Sequence, residues 1–156
     1  MKKFFDALVE RTCFVLVIAL VVIVFVQVFN RYVLKTPLAW SEELAMLVFQ
    51  WVTFLGAAIG VKRMSHFGID LLVERLSEKA RHRIEMLIPI FIAIVAVTMI
   101  TEGYKLFDLT RRQYYTTMDF SRAWAYAAIP ISGFLMIIYL VEGRIRSWKQ
   151  KKEGKS

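Results

Sequence analysis

Side chains able to do chemistry are few in this sequence and poorly spaced for it. His66 and His82 stand in one charged stretch, but neither has further ligands at a spacing that would close a metal site. Cys13 is the single cysteine, so no intrachain disulfide can form, and its apolar surroundings make it a packing residue. No nucleophile stands near a base, and no glycine-rich phosphate loop or Cys/His cluster occurs. Catalytic, cofactor and metal sites are all expected to be absent, and the chain is not expected to be an enzyme.

The remaining charges form one conspicuous group. Arg31, Lys35, Glu42 and Glu43 crowd a short turn, after which the 18 residues from Leu44 to Val61 carry no formal charge. Ser41 is the predicted N-cap of the helix that follows, its hydroxyl accepting an N–H of the first turn. Glu42 and Glu43 would then lie at the positive end of the helix dipole. Trp40 belongs between headgroups and hydrocarbon, where an amphipathic ring is favoured. Arg31 is expected to face Glu42 or Glu43 across the turn. The alternative is a rim of solvated charges, worth about 0–1 kcal/mol.

The turn is positioned by apolar spans. Uncharged blocks of 19, 18, 16 and 19 residues lie between Arg11 and Arg31, Glu43 and Lys62, Glu85 and Glu102, and Arg122 and Glu142. A membrane-crossing helix needs about 20 apolar residues, with a range of about 17–25. The third block reaches that length when Glu85 and Glu102 sit at the interfaces. The predicted fold is an all-α membrane protein, one domain over 1–156. Its four transmembrane helices fall near residues 12–30, 42–62, 84–104 and 122–142. The hydrophobic share of 58% and mean hydropathy of +0.51 agree with it.

A formal charge of +8 raises the question of nucleic acid, and its distribution gives the answer. Of the 21 Lys and Arg residues, 15 fall before the first span, between the second and third, and after the fourth. That asymmetry follows the positive-inside rule and predicts both termini in the cytoplasm, the basic tail lying near anionic lipid headgroups. No basic soluble module is present, so no nucleic-acid partner is expected. The opening MKKFF and its apolar run read as an anchor rather than a cleaved signal peptide, since no small-x-small site precedes Arg31.

Between the second and third spans, Ile69, Leu72, Val73 and Leu76 recur at helical spacing opposite Asp70, Glu74 and Arg75. The segment 68–77 is therefore predicted to be amphipathic, lying in the membrane interface or packed on the bundle. His66, Leu72 and Leu76 are interfacial candidates here. Pro89 is expected to bend the third helix near its beginning, and Pro130 to kink the fourth. Ser121 is a predicted cap of the fourth helix, with Trp124 and Tyr126 marking its outer interface. The connection 104–122 is polar and aromatic, and places Arg111 and Arg112 on the outer face.

Contact surfaces are the last class. Gly56 and Gly60 form a G-x-x-x-G pair and, with Thr53, a small-residue stripe that admits another helix closely. That helix could belong to the same bundle or to a partner subunit. Gln50 and Trp51 share the element, and Gln50 calls for an interhelical hydrogen bond worth about 0.6 kcal/mol. No ionisable side chain stands deep in a span, which argues against a self-sufficient proton-coupled exporter and against a haem-bearing redox anchor.

The run NRYVLKTPLAWSEELA, then FQWVTFLGAA, then KRMSHFGIDLLV resembles the small membrane subunit (DctQ-like) of tripartite ATP-independent periplasmic (TRAP) transporters. FSRAWAYAAIPISGFLMIIYLVEG is similar to that family's last span, and Met46 stands where the family is expected to carry a basic residue. The resemblance implies a non-catalytic scaffold in the bacterial inner membrane. Its partners would be a large elevator-type membrane subunit and a periplasmic substrate-binding protein. The cargo would be an organic acid, of the C4-dicarboxylate or sialic acid class, taken up with sodium. Arg31, Trp40, Glu42, Glu43, Gln50, Trp51, Gly56, Gly60, Arg111 and Arg112 are the candidate subunit or docking residues, Trp124 and lipid completing the interface. The alternative is a stand-alone, homo-oligomeric small transporter or channel.

Overall fold

A computed structural model of the chain describes residues 2–64 and 78–153, with side chains at 4–64, 83–84 and 86–145. Helix α1 (Lys2–Phe29) runs straight into a π-helical turn, Asn30–Leu34. Lys35 ends that turn in the left-handed region at φ 55°, and Asn30 donates from its side chain to the Val26 carbonyl at 2.8 Å. Helix α2 (Ala39–Arg63) returns, and α3 (Glu78–Thr110), the short α4 (Ala123–Tyr126) and α5 (Ala128–Glu153) complete the order. Among the described residues, four helical stretches are long and apolar enough to cross a membrane: Phe4–Leu34, Ala39–Arg63, Met86–Thr110 and Ala123–Ile145. The all-α class with four spans stands. His66, Leu72, Leu76 and the amphipathic segment 68–77 lie outside the described residues.

Several local expectations change. Helix α2 begins two residues before Ser41, with Leu38 as its N-cap. The Ser41 hydroxyl points back and donates to the Leu38 carbonyl at 2.6 Å instead of accepting an amide, and the side chain is buried. Helix α3 passes through Pro89 and continues to Thr110, so Tyr104–Thr110 is helix rather than connection. The fourth span is irregular only at Ala127, which keeps right-handed helical dihedrals and donates its N–H to the Ala123 carbonyl at 2.8 Å. Pro130 falls in the first turn of α5, where a missing N–H costs little. The irregularity at Ala127 therefore lies three residues before the proline. Ser121 is not the N-cap, which is Arg122; from one residue earlier its hydroxyl accepts the Ala123 N–H at 3.2 Å and lies 3.0 Å from the Arg111 carbonyl.

The helices form an open row rather than a closed bundle. α1 packs on α2, α2 on α5, and α5 on α3, leaving α1 and α3 at the outside. The two outer seams are antiparallel and the central α2–α5 seam is parallel, as the pairing of Trp51 with Trp124 and of Lys62 with Tyr139 requires. The buried positions are mostly small: Ala58, Ala96, Ala128 and Ser132 are wholly enclosed. Large side chains such as Phe14, Phe25, Phe91 and Phe134 point outward. A water-soluble core would have the reverse arrangement. In lipid, where apolar surface gains nothing by meeting apolar surface, close backbone approach through small residues holds helices together.

Candidate subunit and docking interface

At the end of the row opposite the chain termini, the connection 111–122 folds into a small lasso. Tyr114 and Ser121 form an isolated antiparallel bridge, the Arg122 N–H donates to the Gln113 carbonyl at 2.8 Å, and the Tyr115 N–H to Phe120 at 3.0 Å. The tip is fastened to α2 by a single side chain. Glu43 accepts the N–H of Thr116 at 2.8 Å and that of Thr117 at 3.0 Å, and it also accepts the Thr117 hydroxyl. Two successive backbone amides make a natural cradle for a carboxylate. The Arg122 guanidinium lies 5.5 Å from the centre of the Tyr115 ring, and partial burial raises the Tyr115 phenol above its ordinary pKa.

The expected pairing of Arg31 with Glu42 or Glu43 does not form among the described residues. Glu43 turns to the lasso, while the Arg31 guanidinium lies over Tyr32 at 5.9 Å. Glu42 and Trp40 are exposed beside this end, and so are Arg111 and Arg112; Arg111 reaches Asp108 at 3.5 Å. Trp124 stacks on Phe120 with centroids 6.0 Å apart.

Along α2, the side-chain N–H of Trp51 donates to the Trp124 carbonyl at 3.0 Å, joining two predicted interface residues within the chain. Gln50 does not make the expected bond: its Oε1 is buried without a partner among the described residues. Gly56 and Gly60 face open space, for a Cβ at either would meet nothing within 4 Å. The tight glycines are elsewhere. A Cβ on Gly103 would come within 2.8 Å of Ile129 and Pro130, and one on Gly133 within 2.9 Å of the Ala96 carbonyl oxygen.

At the other end of the row, Lys62 of α2 reaches two carboxylates of α1, Asp6 at 3.3 Å and Glu10 at 3.1 Å. Its Nζ also lies 5.7 Å from the Tyr139 ring centre on α5. One lysine thus ties three helices together.

The sequence of this chain has known counterparts. The family model described as "Tripartite ATP-independent periplasmic transporters, DctQ component" matches residues 20–150. This chain belongs to that family. The sialic acid TRAP transporter small permease protein SiaQ of Vibrio cholerae is 29% identical over 91% of this chain and 82% of its own length. The sialic acid TRAP transporter permease protein SiaT of Haemophilus influenzae is also 29% identical, over 96% of this chain. The chain spans only 24% of the length of SiaT. The C4-dicarboxylate TRAP transporter small permease protein DctQ of Vibrio cholerae is 24% identical over 75% of this chain. This DctQ-family chain is a multi-pass membrane protein and a transporter component, not an enzyme.

Sequence reasoning about this DctQ-family chain missed Thr116, Thr117, Lys62, Asp6, Glu10, Gly103 and Gly133. Asp6 and Glu10 stand at i, i+4 on one helix face, a spacing that could have flagged a shared cation from a neighbouring helix. The two threonines give no such signal, because what Glu43 binds is chiefly their backbone.

Proposed function

We propose that this chain is the non-catalytic small membrane subunit of a TRAP-type transporter of the bacterial inner membrane, with both termini in the cytoplasm. It braces a large elevator-type subunit that carries the cargo with sodium. The cargo is an organic acid of the sialic acid or C4-dicarboxylate class, handed over by a soluble periplasmic binding protein. A row of four helices has two broad faces but no closed interior, so it suits a brace better than a cargo path. The observation that carries the reading is the open α2 face at Gly56 and Gly60. A Cβ at Gly56 or Gly60 would meet nothing within 4 Å, which leaves room for a helix from another subunit. The 24% share of SiaT supports it, since a partner of larger size could continue on one polypeptide there.

The test is co-purification. The chain should bring down a large hydrophobic partner from membranes, and Gly56→Leu should lower that yield several-fold while inserting normally. Undiminished recovery with Gly56→Leu would move the interface elsewhere. Substrate flux through liposomes holding this chain alone would favour the stand-alone, homo-oligomeric channel and overturn the scaffold.

A further inference from the structure

We propose that Glu43 is an internal clamp, which sets the shape of the 111–122 lasso without itself touching a partner. On this view the lasso, held by Glu43, presents Arg112 and the stacked Phe120–Trp124 pair as a contact face for a soluble protein that offers carboxylates beside a small apolar ledge. The proposal rests on the reading that this end of the row receives a soluble partner.

The geometry separates Glu43 from its neighbour. Both residues are acidic and adjacent, but Glu43 has all of its described bonds directed inward, to two amides and a hydroxyl 73 and 74 positions away. Glu42 has none among the described residues and is exposed. Within the lasso, bonds from Tyr115 to Phe120 and from Arg122 to Gln113 close the neck. The amides of Thr116 and Thr117 at the tip are therefore the ones that depend on the carboxylate. Freed of it, the tip has only its own short turn, with the Phe120 N–H on the Met118 carbonyl at 2.7 Å. The cations of this surface divide in the same way: Arg122 is turned over Tyr115 and Arg111 toward Asp108, whereas Arg112 is exposed with no ion pair among the described residues. Trp124 keeps its backbone carbonyl on Trp51, so the aromatic side of the face is anchored independently of Glu43.

The experiment compares Glu43→Gln, Thr117→Val, Glu42→Gln and Arg112→Glu in the assembled membrane complex in nanodiscs. Amide hydrogen exchange across 111–122 is read without the soluble protein, and affinity for that protein is read separately. Glu43→Gln removes the same charge as Glu42→Gln but cannot accept all three bonds. It should speed exchange at Thr116 and Thr117 about tenfold, as expected for losing charge-assisted hydrogen bonds. Thr117→Val should give a smaller rise and Glu42→Gln none. Docking should weaken in the same order, and Arg112→Glu should abolish docking with exchange unchanged. Equal exchange for Glu42→Gln and Glu43→Gln, or wild-type exchange in both Glu43→Gln and Thr117→Val, overturns the clamp. Fast exchange with undiminished docking in Glu43→Gln and Arg112→Glu leaves the clamp standing and overturns the lasso as the contact face.

Discussion

Two pairs of glycines divide this protein between contacts it makes with itself and contacts it leaves open. Gly56 and Gly60 carry the motif a reader of membrane sequences looks for, and a Cβ at either would meet nothing within 4 Å. Gly103 and Gly133 lie on different helices, form no motif, and sit where a Cβ would collide across the α3–α5 seam. Spacing within a helix shows that a face is smooth. It does not show which neighbour, if any, uses the smoothness.

Substitutions at the two pairs should differ in sign. The largest effect is expected at Gly133. Gly133→Leu would drive a side chain against the Ala96 backbone oxygen and lower the stability of the purified chain by about 3 kcal/mol or more, by denaturant titration in micelles. Gly103→Ala meets a proline ring and a branched side chain, and should cost about 1–2 kcal/mol in the same titration. Trp51→Phe keeps the ring bulk on α2 but loses the bond to Trp124, a change of about 0.6 kcal/mol. Smallest and opposite is Gly56→Ala: with space around it, a methyl there should stabilise α2 by about 0.5 kcal/mol through backbone entropy. A destabilising Gly56→Ala, or a neutral Gly133→Leu, would break the distinction between open and closed pairs.

The polar ties at the two ends of the row follow a similar contrast. Lys62 binds side chains, Asp6 and Glu10, whose i, i+4 spacing was on view in the sequence. Glu43 binds backbone amides of residues 73 and 74 positions away. Proximity across the hairpin turn points to Arg31 as the partner of Glu42 or Glu43. In the fold the Arg31 guanidinium lies over Tyr32 and the Glu43 carboxylate goes to the lasso. Trp51 is a candidate contact residue and Trp124 an interfacial one from the sequence, yet the bond between them lies inside the chain and joins α2 to the start of the fourth span.

The sequence by itself determined that four helices cross a membrane and which family they belong to. Long uncharged runs have no other stable home than lipid, and the W-x-E-E-L-A and W-x-x-F-L-G-A runs are local strings that need no folding to be read. Tertiary structure alone decided the order α1–α2–α5–α3, the parallel central seam, the bonds of Glu43 and Lys62, and which glycines are tight. In lipid every helix face is apolar enough to be solvated, so hydrophobic pattern loses its power to choose neighbours. The choice passes to close packing and a few polar bonds between residues far apart in sequence.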